Sequence, residues 1–391
     1  MKLACVVHRF GPAIAGGSES HCRSIAQRLA PTHDVTVVTT CASDHVTWSN
    51  RYAPGESWDG RVRVLRFPVA RQRHLHRFVD ISEVVFSGRA SPDEEEQWFR
   101  ENGPDAPRLL DYLRERGGEY DRVLFWSFRY AQTYFGLPIV ADRAVLLPTA
   151  EDDPAVRLAV LDRFFALPAA YLFLTPEEQQ LIGRRVPAAT PREVIGCGLE
   201  PASAADLTRI DRLGVSDPFV LYLGRVDPNK GCGALLRYFE QYVARGGAAQ
   251  LVLAGPVNMP LPDRPWLRRL GFVNEAVRDA LLARARVLAM PSPFESLSIA
   301  LLEAWNRGVP ALVNGRCGVL RGQVLRANGG LFYRTGAEFV AALEYLLRDP
   351  AAAAQFAAQG RAYVDREYRW PHVMQKIEAV LERAVPVVSG G

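Results

Sequence analysis

Short apolar runs of strand length, each followed by a stretch of helical periodicity, recur along the whole chain. A first series falls at residues 3–7, 35–40, 62–67, 123–126, 144–147 and 170–174, and a second at 219–223, 251–254, 287–290, 311–313 and 331–333. Strands that alternate with helices in this way predict parallel sheets wound on both faces. The alternation pauses at GCGLEPASAADL (196–207), rich in Gly, Pro and Ala, where an inter-domain linker is expected. The reading is an α/β protein of two doubly wound domains facing across a cleft. A length of 391 residues suits two domains, or three, at roughly 150 residues each. Ligands of such sheets bind beyond the carboxyl ends of strands, so the loops there are where chemistry is sought.

Composition removes several classes. A net charge of +4 is too small to argue for nucleic acid. The six cysteines are scattered singly, which points to neither a disulfide framework nor a zinc site, and free thiols fit a reducing cytosol. The apolar run in MKLACVVHRFG is too short for the core of a signal peptide and reads as a first strand. No apolar run approaches the ~20 residues of a spanning helix, so a soluble or peripheral cytoplasmic protein is expected. Residues 90–107, polar and broken by Pro and Gly, read as a surface excursion, and the tail 386–391 as disordered.

Three loops carry candidate chemistry. In LYLGRVDPNKG (221–231) a strand ends at Gly224, and Arg225 and Lys230 follow on a Pro/Gly-shaped loop. Arg grips phosphate through a planar fork and Lys acts as a movable point charge. Taken alone, the loop reads more readily as a solvated one with ordinary surface charges. In FGPAIAGGSESHCRSIAQRLA (10–30), Gly16 and Gly17 open an amphipathic helix. Two glycines allow close approach of a ligand to free N–H groups that favour an anion. A loop needing positive φ, with Ser18 as N-cap, is the other reading. The absence of GxGxxG argues against a dinucleotide dehydrogenase. In PSPFESLSIALLEAWNRGVP (291–310), Glu295 and Glu303 interrupt an apolar pattern with seven residues between them. They lie either on a narrow solvent-facing strip or toward a polar ligand. Helical throughout, their separation would be roughly 12 Å, about the reach from sugar to ribose in a nucleotide-diphosphate sugar.

With these motifs in this order, the chain resembles the retaining GT-B glycosyltransferases of family 4, in a bacterial branch involved in surface polysaccharide assembly. The likeness extends over the chain through FLTPEEQQLI (173–182), LGFVNEAVRDALL (270–282) and GGLFY (329–333). It implies two Rossmann-like domains, 1–197 on the acceptor side and 198–369 binding the nucleotide sugar, with a C-terminal helix of about 370–386 packing back on the first. It implies that Arg225 and Lys230 hold the donor diphosphate, and that Glu295 binds sugar hydroxyls. Backbone at Gly224, Ser296, Leu297 and Ser298 would meet phosphate and sugar. Glu303 would bind the ribose, Val273 and Asn274 the base, and Gly16 and Gly17 would approach the phosphates. The implied activity is transfer of a sugar from a nucleotide-diphosphate donor to a saccharide or lipid-linked saccharide, without metal or other cofactor. An epimerase or hydrolase, or a catalytically silent sugar-nucleotide binder, are the other readings.

One departure stands out. In LLPTAEDDP (146–154), Glu151 falls where this branch commonly has a histidine near the donor sugar. It either contacts the sugar or caps a helix. Trp48 and Trp126 would line an acceptor site, or belong to the core as aromatic residues commonly do. The basic stretch 61–78 would meet a membrane surface or an anionic acceptor, or form a solvated face.

Overall fold

The computed structural model describes residues 1–14 and 16–384; the tail 386–391, expected to be disordered, lies outside the described residues. The chain forms two compact units, Met1–Gly196 with the segment from Val373 onward, and Cys197–His372.

The first unit is built on β1 (Lys2–Val6), β2 (Asp34–Thr40), β3 (Gly55–Asp59), β4 (Val62–Phe67), β5 (Arg122–Trp126), β6 (Ala144–Leu147), β7 (Ala170–Phe173) and β8 (Arg192–Val194). Their spatial order is β3-β4-β2-β1-β5-β6-β7-β8. Every pairing is parallel except that of β3 with β4. The second unit is built on β9 (Phe219–Leu223), β10 (Gln250–Ala254), β11 (Leu267–Gly271), β12 (Val287–Met290), β13 (Ala311–Asn314) and β14 (Gly330–Tyr333). These run in the order β11-β10-β9-β12-β13-β14, all parallel. The order reverses beside β1 in the first sheet and beside β9 in the second. Each reversal opens a crevice at the carboxyl ends of its two central strands.

The apolar runs locate the inner strands because those are covered on both faces. The strands that no run announces, β3, β8 and β11, all lie at sheet edges. Their sequences, GESWD, REV and LRRLG, carry charge, as edges exposed to water do.

Residues 90–107 depart from expectation. They contain the helix Pro92–Asn102, opened by a capping box between Ser91 and Glu94. Its acidic first turn made the stretch look like surface, yet negative charge is favoured at a helix N-terminus. The opposite face buries Trp98 and Phe99, and Phe99 stacks on Tyr134 with ring centroids 3.9 Å apart.

Candidate active site

In the second unit, the loops after β9 and β12 meet at the strand-order reversal. After β9 the chain passes Gly224 (φ 147°) and Arg225, which is exposed, to a short 3₁₀ turn, Pro228–Lys230. Asp227 caps that turn by accepting the Asn229 N–H at 2.8 Å. Gly231 follows at φ 76° and opens the helix Cys232–Ala244. A β-carbon on Gly231 would stand 2.3 Å from the Pro291 carbonyl oxygen, and one on Gly255 2.0 Å from the Gly224 oxygen. Glycine is therefore what lets these loops close on one another.

That closure brings together two residues far apart in sequence. Lys230 Nζ lies 3.0 Å from Glu295 Oε1, with the side chains 25% and 14% exposed. Lys230 also reaches the Phe294 carbonyl at 3.5 Å. Glu295 is not helical: the helix runs Ile299–Asn306, and Ser298 before it is left-handed at φ 71°. The expectation of one helix through both glutamates is thus corrected. Pro291 and Pro293 and the left-handed turn at Ser298 delay the helix, so only Glu303 lies on it. Ser296 and Leu297 share the loop with Glu295; Leu297 is buried, and the buried Ser298 hydroxyl has no hydrogen-bond partner.

Two residues that sequence reasoning missed hold this loop. Asn314, at the end of β13, donates from Nδ2 to the Pro291 and Ser292 carbonyls at 3.1 and 3.3 Å. Gln323, fully buried, donates to the Leu297 carbonyl. Their amides satisfy backbone acceptors that the irregular loop would otherwise leave orphaned. Neither matches a local motif, so no sequence signal identified them.

Glu303 sits among buried Leu301, Leu302, Ala304 and Trp305. Burial raises its carboxyl above the usual range, and Arg278, 3.3 Å away, offsets part of that rise. Val273 and Asn274 follow β11; the Asn274 side chain accepts the Val277 N–H at 3.0 Å and caps the helix Glu275–Arg284.

In the first unit the loops after β1, β2 and β6, and the end of β5, carry the remaining candidates. The helix Gly17–Leu29 begins with Gly16, not Ser18, at the N-cap. A carboxylate already occupies the space beside Gly16, because a β-carbon there would be 2.3 Å from Glu19 Oε2. Glu19 also lies 2.9 Å from His8 Nε2 and pairs with Arg9. Burial alone would raise the Glu19 carboxyl, but His8 and Arg9 outweigh it and hold it well below the usual range. Gly16 thus makes room for an internal anion. A β-carbon on Gly17 would meet nothing within 4 Å.

Trp48 and Trp126 are fully buried, so of the two readings given them the core one describes their place and the acceptor-site one is corrected. The Trp48 indole donates to the Asn102 carbonyl at 2.7 Å, and Trp126 donates to His21 Nδ1 at 3.4 Å. Burial lowers His21 to about 4, so the imidazole is neutral and able to accept. Glu151 does have a cationic neighbour: Arg129, after β5, lies 3.7 Å from its Oε2 and also pairs with Asp153. Next to Glu151, the Ala150 N–H is fixed by the buried Glu178 carboxylate at 2.6 Å.

Residues 217–349 match the family described as Glycosyl transferases group 1. An uncharacterized glycosyltransferase of Methanocaldococcus jannaschii is 26% identical over 189 residues, covering 45% of this chain and 48% of that protein. A GDP-mannose-dependent monoacylated alpha-(1-6)-phosphatidylinositol monomannoside mannosyltransferase of Corynebacterium glutamicum is 29% identical over 192 residues, 44% of this chain and 49% of that protein. The chain spans about half the length of these curated relatives. Among solved structures, sucrose-phosphate synthase from Thermosynechococcus elongatus superposes with a TM-score of 0.73 at 15% identity, covering 98% of this chain and 99% of that one. Anabaena HepE in complex with UDP and glucose superposes with a TM-score of 0.70 at 17% identity over the same shares of the two chains. The expected fold class is thus the observed one: the chain has the GT-B fold of two Rossmann-like α/β units, and its second unit carries the match to Glycosyl transferases group 1.

Proposed function

We propose that this chain is a glycosyltransferase that moves a sugar from a nucleotide-diphosphate donor to an acceptor hydroxyl, with retention at the anomeric carbon. The observation that carries the reading is the Lys230–Glu295 pair at the reversal of the second sheet, beside the start of the helix Cys232–Ala244. A cation and helix N–H groups suit a diphosphate, and a carboxylate suits sugar hydroxyls. Two named neighbours support the donor class, one solved with UDP and glucose and one described as GDP-mannose-dependent. In the reaction, charge grows on the departing diphosphate; Lys230 and Arg225 would stabilise it in place of a divalent ion. Glu295 would exchange its bond to Lys230 for sugar hydroxyls. The acceptor on this reading is a saccharide or lipid-linked saccharide of a surface glycan.

The test is a transfer assay in EDTA with UDP-, GDP- and ADP-sugars, followed by NMR of the product's anomeric proton. Transfer in EDTA with retention is expected. An inverted product, or activity lost in EDTA and restored by magnesium, would overturn the corresponding part of the proposal. Release of nucleotide without acceptor would instead indicate a hydrolase, and tight binding without turnover a silent binder.

Glu151 is proposed to face the donor sugar and help select it, with Arg129 balancing its charge. Glu151→His is then expected to reorder the preference among donor sugars. An unchanged profile and rate would leave Glu151 only as a counter-charge to Arg129.

A peripheral membrane contact belongs to the same reading. Among the described residues no helix is long and apolar enough to cross a membrane. The helix Leu75–Phe86, however, leaves Leu75, Val79 and Phe86 exposed along one side. Exposed apolar groups on a surface helix suit a membrane interface, and the basic stretch 61–78 that leads into this helix, rather than the helix itself with Asp80 and Glu83, would supply the attraction to anionic lipid. Co-sedimentation with phosphatidylglycerol vesicles is expected, and its persistence in Val79→Asp/Phe86→Asp would refute a role for this helix.

A further inference from the structure

We infer that Arg278 is a positioning residue for Glu303: its guanidinium holds that carboxylate as the acceptor for the ribose diol of a nucleotide donor. This rests on the reading of the second unit as donor-binding.

A carboxylate on an otherwise apolar helix is costly unless it is paired. Glu303 finds its partner on a different helix, where Arg278 Nη1 approaches Oε1 at 3.3 Å. Behind Arg278 the charges alternate. Asp279 Oδ1 is 3.7 Å from Arg278 Nε, and Arg307 Nη2 is 2.8 Å from Asp279 Oδ2. Arg307 is anchored in turn by donating to the Ser203 carbonyl at 2.9 Å. The row Arg307–Asp279–Arg278–Glu303 therefore starts at fixed backbone and ends at the carboxylate. Arg278 Nε is buried with no hydrogen-bond partner, so the guanidinium is placed by this row of charges rather than by a full set of hydrogen bonds.

The groups acting on Glu303 are Arg278, Asp279 and Glu275 on the facing helix and Arg307 beyond its own. Burial and the two acids favour its protonated form; the two arginines favour the carboxylate. An ionised carboxylate accepts from both ribose hydroxyls, whereas a protonated one must donate from one oxygen. Without Arg278, Glu303 would bind its proton more tightly and lose it only at higher pH. Donor affinity would then rise with pH where it is otherwise level. Nucleotide sugars carry a diphosphate diester, which does not itself titrate near neutrality.

The experiment is calorimetric titration of UDP-glucose, GDP-mannose and ADP-glucose into the wild type, Arg278→Leu, Arg278→Lys, Glu303→Gln and the Arg278→Leu/Glu303→Gln pair. It compares about pH 6 with about pH 8.5, across which a one-unit displacement of a titration can change affinity about tenfold. Wild type and Arg278→Lys are expected to bind with nearly level affinity. Arg278→Leu is expected to bind about tenfold more weakly at the lower pH, with turnover at saturating donor little changed, because a ribose contact is equally present in ground and transition states. In the Glu303→Gln background, Arg278→Leu should add nothing. A level profile for Arg278→Leu, or the same loss without Glu303, overturns the role of Arg278. If the wild type binds none of the three, the donor-site reading falls first and takes the role of Arg278 with it.

Discussion

Lys230→Ala and Arg225→Ala are each expected to lower turnover by about a hundredfold while leaving the fold intact. Both cations are proposed to act on charge that is small in the bound donor and large as the diphosphate departs. Removal of one preorganised stabiliser of developing charge costs on the order of 3 kcal/mol in the barrier. Lys230 should show a second effect that Arg225 need not. Its ammonium is the partner of Glu295, whose side chain is only 14% exposed. Removing the cation alone leaves that carboxylate uncompensated, which costs more than removing the pair. Glu295→Gln in the Lys230→Ala background should therefore restore some stability while restoring no turnover. Initial rates at saturating donor, beside thermal melts, separate these effects. Near-normal turnover in either folded single variant would show that the assigned cation does not act on the diphosphate.

Gly231→Ala is expected to destabilise the protein and to weaken donor binding, although it adds one methyl group to a residue that carries no functional group. Gly231 ends the turn that presents Lys230 and starts the next helix, whose Ala234 and Leu235 N–H groups both donate to its carbonyl at 3.1 Å. Two costs arise there. A left-handed backbone costs a non-glycine residue on the order of 1–3 kcal/mol. The added β-carbon would also stand 2.3 Å from the Pro291 oxygen, and backbone cannot yield as a flexible side chain would. The loops after β9 and β12 would have to part, and Lys230 would lose its placement against Glu295. Gly246→Ala isolates the first cost, because Gly246 has φ 87° and open space around its missing β-carbon. Denaturant melts and donor calorimetry of both variants test the argument. Equal losses in the two would mean that contact with Pro291 has no part in the site.

Glu19 and Arg278 show what a linear reading cannot supply. In GGSES, Glu19 looks like a surface acid of a helix's first turn; folded, it is the buried partner of His8 and Arg9 beside Gly16. In VNEAVRDALL, Arg278 looks like one more charge on a solvated face; folded, it balances Glu303. Trp48 and Trp126 run the other way: the sequence left them between an acceptor surface and the core, and folded they lie in the core.

The sequence by itself determined the parallel α/β architecture and singled out the loops proposed to carry the chemistry. Strands buried on both faces must be apolar along their length, and that requirement is local enough to read residue by residue. It also determined that Arg225, Lys230 and Glu295 would follow strands, where loops of such sheets face ligands. The tertiary structure alone decided which of those loops meet. Lys230 touches Glu295 because β9 and β12 are neighbours where the strand order reverses, although the chain visits β10 and β11 between them. It alone decided that Glu295 leaves the helix while Glu303 stays on it, through the left-handed turn at Ser298 and the amides of Asn314 and Gln323. Periodicity reports which side of a segment is buried; it carries no information about which distant segment lies against that side, and the Lys230–Glu295 and Arg278–Glu303 pairs both span such a contact.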